Sequence, residues 1–271
     1  MQVRAAVLRE MGLPAPYAQS RPIQITTVEL DAPGMGEVRV QIKVAGLCHS
    51  DLSVISGDRP RVMPLALGHE SSGVVVAVGP GVDDLKPGDH VVTVFVPSCG
   101  GCAPCMGGRP ALCEPGARAN TQGTLLGGAR RLHAGGEALN HHLGVSCFAE
   151  HAVVSRRSCV KIEAALSHRE AALFGCAVLT GAGAIINRAR VKPGDTVAIV
   201  GLGGVGWRWS WTPASARWRR SWAPRTWWTR VRPPAMPSCW PPPAVRWTWA
   251  MTPRAACRPS RPPTSSRAAG A

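Results

Sequence analysis

No aspartate, glutamate or lysine follows Gly206 in this 271-residue sequence, yet the 65 residues beyond it hold 12 arginines, all ten tryptophans and 12 of the 25 prolines. The opening of that segment, WRWSWTPASARWRRSWAPRTWW, shows neither the period of two of a strand nor the 3.6 of a helix, and it carries proline where a helix would run. A readable globular domain is thereby excluded, and residues 207–271 are expected to be disordered. Any run of about 18 apolar residues is also missing, which excludes a single membrane-crossing helix read from hydropathy. The N-terminal MQVRAAVLRE sets charges inside its short apolar run and does not read as a signal peptide, so the expected compartment is the cytoplasm, with no membrane partner. No repeat of about 20–50 residues is visible, which excludes solenoids and propellers.

The net charge of +15 would suggest nucleic acid as a partner, but its distribution argues otherwise. Residues 1–206 hold 19 Lys and Arg against all 16 Asp and Glu, a net of +3, so the basicity belongs to the tail. With 45% apolar residues the chain as a whole can bury a core. In a reducing compartment its ten cysteines are better read as metal ligands or small buried hydrophobes than as disulfides.

The pattern EVRVQIKV at Glu37–Val44 alternates apolar and polar residues, and β-rich runs follow at Ser72–Val78, His90–Val96 and Phe148–Val154 between Gly and Pro turns. A β-barrel-like domain is expected. From Ser167 the run SHREAALFGCAVLTGAGAII has helical spacing behind a capping serine. VKPGDTVAIVGLGGVG at 191–206 then reads as a turn, an apolar strand and a glycine loop, the start of a parallel α/β sheet.

Two constellations carry chemistry. Cys99, Cys102, Cys105 and Cys113 lie in CGGCAPCMGGRPALC, where four thiolates this close suit a closed tetrahedral zinc site, hence a structural one. The second comprises LCHSD at Leu47–Asp51, GHESSGVVVAVGPGV from Gly68, and the distant Cys176. Two cysteines and one histidine with an open fourth position are a known catalytic zinc set.

Together, GHE-x2-G-x5-G from Gly68 to Gly79, the CHSD segment, the four-cysteine lobe and GLGGVG resemble the zinc-dependent alcohol dehydrogenases of the medium-chain dehydrogenase/reductase superfamily. The resemblance covers residues 1–206. It implies an α/β + β chain: a GroES-like β-barrel catalytic domain at 1–178 with its structural zinc lobe at 97–115, then the start of a Rossmann, doubly wound parallel domain at 179–206, and the anomalous tail at 207–271. It also implies two zinc ions per chain, with Cys48, His69 and Cys176 at the catalytic zinc and the four lobe cysteines at the structural one. The implied reaction oxidises a primary or secondary alcohol to an aldehyde or ketone and transfers hydride to NAD, or NADP.

By matching position, Glu70 is the acidic neighbour of the metal, Ser50 takes the alcohol proton and Asp51 orients His69. Position 53, where many members carry a relay histidine, is Ser53. His49 stands where members place a basic residue facing the cofactor pyrophosphate, Phe95 matches a pocket wall, and Thr180 and Val205 flank the nicotinamide. Gly201, Gly203 and Gly206 form the GxGxxG loop that lets the backbone approach the pyrophosphate. His141, His142, Cys147 and Cys159 match no ligand position and are read as structural.

The fingerprint needs an acidic residue about 20 positions further on for the ribose, and none exists here. Family members pair as homodimers or homotetramers through the nucleotide-binding sheet, which this sequence continues no further. Two other readings therefore stand beside the enzyme: an inactive zinc-binding remnant and, weaker, a nucleic-acid binder through the Arg/Trp tail. A shifted reading frame accounts for the tail's composition. Tryptophan has the single codon TGG, and one register of misreading forces Thr212, Thr229 and Thr248 all to aspartate. Re-sequencing across codons 200–215 is expected to show a disrupted frame there; an intact frame in several independent reads removes this explanation.

Overall fold

The computed structural model describes residues 1–193 together with Asp195, Val197 and Val205, all within one compact unit, Met1–Ala214. The expected strand TVAIV, the glycine loop and the tail otherwise lie outside the described residues. Among the described residues ten strands form a barrel and a sheet: β1 (Gln2–Leu8), β2 (Ile23–Leu30), β3 (Glu37–Ala45), β4 (Leu65–Ala66), β5 (Ser71–Val78), β6 (His90–Thr93), β7 (Leu132–Ala134), β8 (Glu137–His141), β9 (His151–Ser155) and β10 (Cys159–Lys161). Strands β1, β2, β7, β8 and β4 close into a barrel in that order, and β10, β6, β5, β3 and β9 form the second sheet.

Alternation builds both cores. On β3 the side chains of Val38 and Val40 are wholly buried and meet Val75, Val91 and Val154 from the neighbouring strands, while Val3, Val7, Leu30, Leu132 and Leu139 fill the barrel. Each such aliphatic side chain contributes about 1.5–3 kcal/mol on burial. The run at Glu37–Val44 is a strand, as its pattern requires, and Ser72–Val78 gains Ser71. Two runs differ from expectation. The strand from His90 stops at Thr93, beyond which the chain leaves the sheet to carry the cysteine lobe. Phe148 to Glu150 pairs instead with β1, because the Ala6 N–H donates to the Phe148 carbonyl at 2.8 Å and Ala5 bridges Ala149, so β9 begins only at His151.

The helical run from Ser167 is also broken. Ser167 caps it as expected, its hydroxyl accepting from the Glu170 N–H at 3.3 Å. The segments His168–Gly175 and Ala177–Ala189, however, meet at 57° around Cys176, whose φ of −138° and ψ of −75° are not helical. No single described helix is long and apolar enough to cross a membrane.

At the end of β8, His141 is buried: its Nε2 accepts from the Arg131 N–H at 3.1 Å, and its Nδ1 has no partner among the described residues. Burial, with lesser repulsion from Arg130, Arg131 and His133, pushes its pKa down to about 3 from the ordinary 6.5. Between those values the unfolded chain binds the extra proton, so stability falls as pH drops through that window. Denaturant unfolding of His141→Gln is expected to show a flatter loss of stability below pH 6.5 than the unmodified chain; parallel curves for the two would remove His141 as a source of acid lability.

Candidate metal centres

The first centre gathers side chains from three distant parts of the chain. Cys48 is the N-cap of the helix His49–Ile55, where its own N–H donates to Asp51 Oδ2 at 3.3 Å and its sulfur accepts from the Asp51 N–H. His69 follows Gly68, whose φ of +94° only glycine adopts cheaply; an added Cβ there would also fall 2.5 Å from the Phe148 nitrogen. Cys176 enters from the break between the two helices. The three donor atoms lie within 4.8 Å of one another.

Their spacing is informative. Zinc bonded tetrahedrally to sulfur at about 2.3 Å and nitrogen at about 2.0–2.1 Å gives S–S edges of about 3.8 Å and S–N edges of about 3.5 Å. Cys48 Sγ and Cys176 Sγ stand 3.9 Å apart, and Cys176 Sγ lies 3.5 Å from His69 Nε2. The donors fit the ion.

Electrostatics fit it as well. Cys176 and His69 lower the Cys48 pKa far below an ordinary thiol, against the effect of burial, and the Cys48 thiolate in turn pushes Cys176 up. Burial disfavours charge on His69, but Asp51 and Cys48 outweigh it and raise the imidazole to about 9. Asp51, also opposed by burial, is held well below the usual carboxylate range by His142 and His69. A buried pocket this rich in negative donors suits a cation.

Glu70 is 2% exposed, and burial raises its pKa. Its Oε1 accepts from the Ala177 N–H at 3.0 Å, tying β5's leading edge to the residue after Cys176. The carboxylate fills the space beside Gly46, where a Cβ would stand 2.7 Å from Oε2. The Ser50 N–H and hydroxyl both face the Cys48 sulfur and lower its pKa. Phe95 stands edge-on to His69 with 6.0 Å between ring centroids. His49 is exposed on the first turn of its helix, and Ser53 bonds back to the His49 carbonyl at 3.1 Å. Thr180 is exposed, and the Val205 carbonyl packs on the adjacent Gly181, where a Cβ would come within 2.4 Å of it. Gly201, Gly203 and Gly206 lie outside the described residues.

The second centre is local. The sulfurs of Cys99, Cys102, Cys105 and Cys113 also lie within 4.8 Å of one another. Backbone N–H groups converge on them: Cys102 donates to Cys99 at 3.3 Å, and Cys99 and Gly116 donate to Cys113 at 3.2 and 3.3 Å. Cys113 caps the helix Glu114–Gln122, whose N-terminal dipole favours a thiolate. The N–H groups of Gly101 and Cys102 bring Cys99 down to about 6, whereas burial pushes Cys105 up to about 11.

Sequence reading missed two participants. His142 was read as structural, yet its Nδ1 lies 3.1 Å from Asp51 Oδ1 and its ring stands 5.2 Å from that of His69. Only the parallel pairing of β4 with β8, Ala66 opposite His141, brings it there, and no spacing announces that. Gly46 was also missed, whereas Cys147, read as structural, is a buried thiol beside Glu70. The Cys147 thiol, pushed up to about 12 by burial, donates to the Glu70 carbonyl at 3.5 Å.

A closed barrel beside a five-stranded sheet, with one set of three and one of four donors that could each hold a metal ion, is the architecture of a GroES-like domain. Residues 34–164 match the family described as Alcohol dehydrogenase GroES-like domain. S-(hydroxymethyl)glutathione dehydrogenase of Escherichia coli O1:K1 / APEC is 40% identical over 207 residues, 76% of this chain and 54% of that protein. Among solved structures, an alcohol dehydrogenase zinc-binding domain protein from Burkholderia ambifaria superposes with a TM-score of 0.69 at 38% identity, over 76% of this chain and 54% of that one. Benzyl alcohol dehydrogenase from Acinetobacter calcoaceticus gives 0.63 at 32%, over 71% and 50%. The chain is similar to the zinc-type alcohol dehydrogenases of the medium-chain dehydrogenase/reductase superfamily and spans about half the length of the relatives it matches.

The contact at Gly46 gives a direct test of how tightly Glu70 is held. Gly46→Ala is expected to destabilise the chain by about 1–3 kcal/mol in denaturant unfolding, because the new methyl must displace a buried carboxylate; an unchanged midpoint would show that the carboxylate moves freely.

Proposed function

We propose that Cys48, His69 and Cys176 hold the zinc at which a primary or secondary alcohol is oxidised to an aldehyde or ketone, with hydride passing to NAD or NADP. The observation that carries this is the match of their 3.9 and 3.5 Å separations to the edges of a three-donor tetrahedral site. Zinc there supplies Lewis acidity, lowering the pKa of an alcohol oxygen so that hydride can leave the neighbouring carbon.

The chain's own groups have separate tasks. Asp51 fixes the His69 ring so that Nε2 faces the cysteines. The Ser50 hydroxyl, beside Cys48, takes the alcohol proton, and the half-buried Ser53 stands where a relay histidine would take the next step. Phe95 walls the substrate side. A bound dinucleotide would meet Thr180 and Val205 at its nicotinamide and His49 at its pyrophosphate, and the glycines of the Gly201, Gly203 and Gly206 motif would allow the close backbone approach that a pyrophosphate needs. Glu70, anchored through Ala177, keeps a carboxylate next to the metal donors. Cys99, Cys102, Cys105 and Cys113 hold a second zinc that is structural.

One observation favours a second reading, a chain that holds zinc without turning over alcohol: no acidic residue follows Gly206 to hold the cofactor ribose. Zinc analysis of the purified chain, paired with alcohol-dependent NADH formation, separates the two. About two zinc ions per chain, falling to about one in Cys48→Ser together with loss of NADH formation, is the expected result. Two zinc ions with no NADH formation in the unmodified chain would establish the second reading. A zinc content that Cys48→Ser leaves unchanged would overturn both.

A further inference from the structure

The Asp51 carboxylate is shared in a way that the reaction outlined above does not use. Its Oδ2 accepts from the Cys48 N–H, and its Oδ1 pairs with His69 Nδ1 at 3.2 Å. The same Oδ1 lies 3.1 Å from Nδ1 of His142, a ring 1% exposed. That nitrogen is buried and has no hydrogen-bond partner of good angle among the described residues. Buried ring nitrogens are rarely left without a partner, and Asp51 Oδ1 is the acceptor within reach. The His142 ring also stands edge-on to His69, at 80° between planes, so it limits how far the His69 ring can turn.

We propose that His142 is a positioning residue of the metal centre: it donates from Nδ1 to Asp51 Oδ1 and braces the His69 ring, so that Nε2 stays turned toward Cys48 and Cys176. The proposal rests on the reading of Cys48, His69 and Cys176 as a zinc site. It extends that reading to a third layer, from zinc donor to carboxylate to a second histidine. A bond of this kind fixes the tautomer and orientation of the ligating imidazole, and removing such outer partners typically costs about 10–100-fold in metal affinity. His142 touches neither substrate nor reacting atoms, so its effect is on the metal and not on proton transfer.

Asparagine places an amide donor near the position of histidine Nδ1, and leucine has the same shape without the donor. Both lose the ring, so packing loss is common to the pair and the difference between them reports the hydrogen bond. Zinc release to a chromogenic chelator is followed in the unmodified chain, His142→Asn and His142→Leu. The faster-released zinc, assigned as the one missing from Cys48→Ser, is expected to leave His142→Leu about 10–100-fold faster than the unmodified chain, with His142→Asn largely restored. The zinc of the four cysteines is expected to keep its rate. Equal release from the Asn and Leu variants would overturn the proposal.

Thermal melting supplies a readout that does not depend on the metal. His142→Asn is expected to melt above His142→Leu, and the gap is expected to close when Asp51→Asn is added to both. A gap that persists without the carboxylate, or no gap at all, would overturn the Asp51–His142 interaction whatever the zinc content. If Cys48→Ser removes no zinc, the failure belongs to the site reading, and the melting cycle still decides the interaction.

Discussion

One buried carboxylate organises the metal centre. Asp51 holds the backbone of Cys48 with one oxygen and the ring of His69 with the other, so two donors separated in sequence are tied to the same rigid group. The helix His49–Ile55 begins where it does because Cys48 and Asp51 cap it reciprocally, and that capping sets the direction of the Cys48 sulfur. An ionised group this deeply buried is tolerable only when its lone pairs are satisfied. The charge on Asp51 and the imidazole that faces it are therefore one unit, and removing either leaves the other stranded.

The third donor is brought in by a different device. A continuous helix from Ser167 would turn successive side chains at a fixed angle along a straight axis. The 57° break at Cys176 frees the residue from that constraint, and the first N–H of the new segment, on Ala177, is taken by Glu70. Glu70 thus stands beside the candidate metal donors through its position and serves the fold through its hydrogen bond, while Gly46 leaves the room it needs.

What could be read from the sequence was what is local in it. The four-cysteine lobe, the CHSD and GHE segments and the alternation of β3 are carried by spacings of a few residues, and the structure gathers the sulfurs and the imidazole as that spacing implies. Cys176 joined the second constellation without any local spacing of its own, and the family resemblance is what assigned it as a ligand. The closure of the barrel by β4, two residues long, gives no periodicity to detect, and the approach of His142 to Asp51 depends on it. The helical pattern after Ser167 was correct in composition and wrong in continuity, since nothing in the period of apolar residues marks the place where a side chain must leave the helix to serve a site.

The two sets of sulfurs differ in how far along the chain they reach. Cys99 and Cys113 are 14 residues apart, whereas Cys48 and Cys176 are 128 apart. Closing the longer loop costs about 2 kcal/mol more chain entropy than closing the shorter, and it waits on barrel, sheet and broken helix all being in place. During synthesis the lobe emerges whole while Cys176 is still unmade, so the two sets of donors are completed in a fixed order. The lobe's set of donors is complete early in the growing chain, the other only once Cys176 has been made.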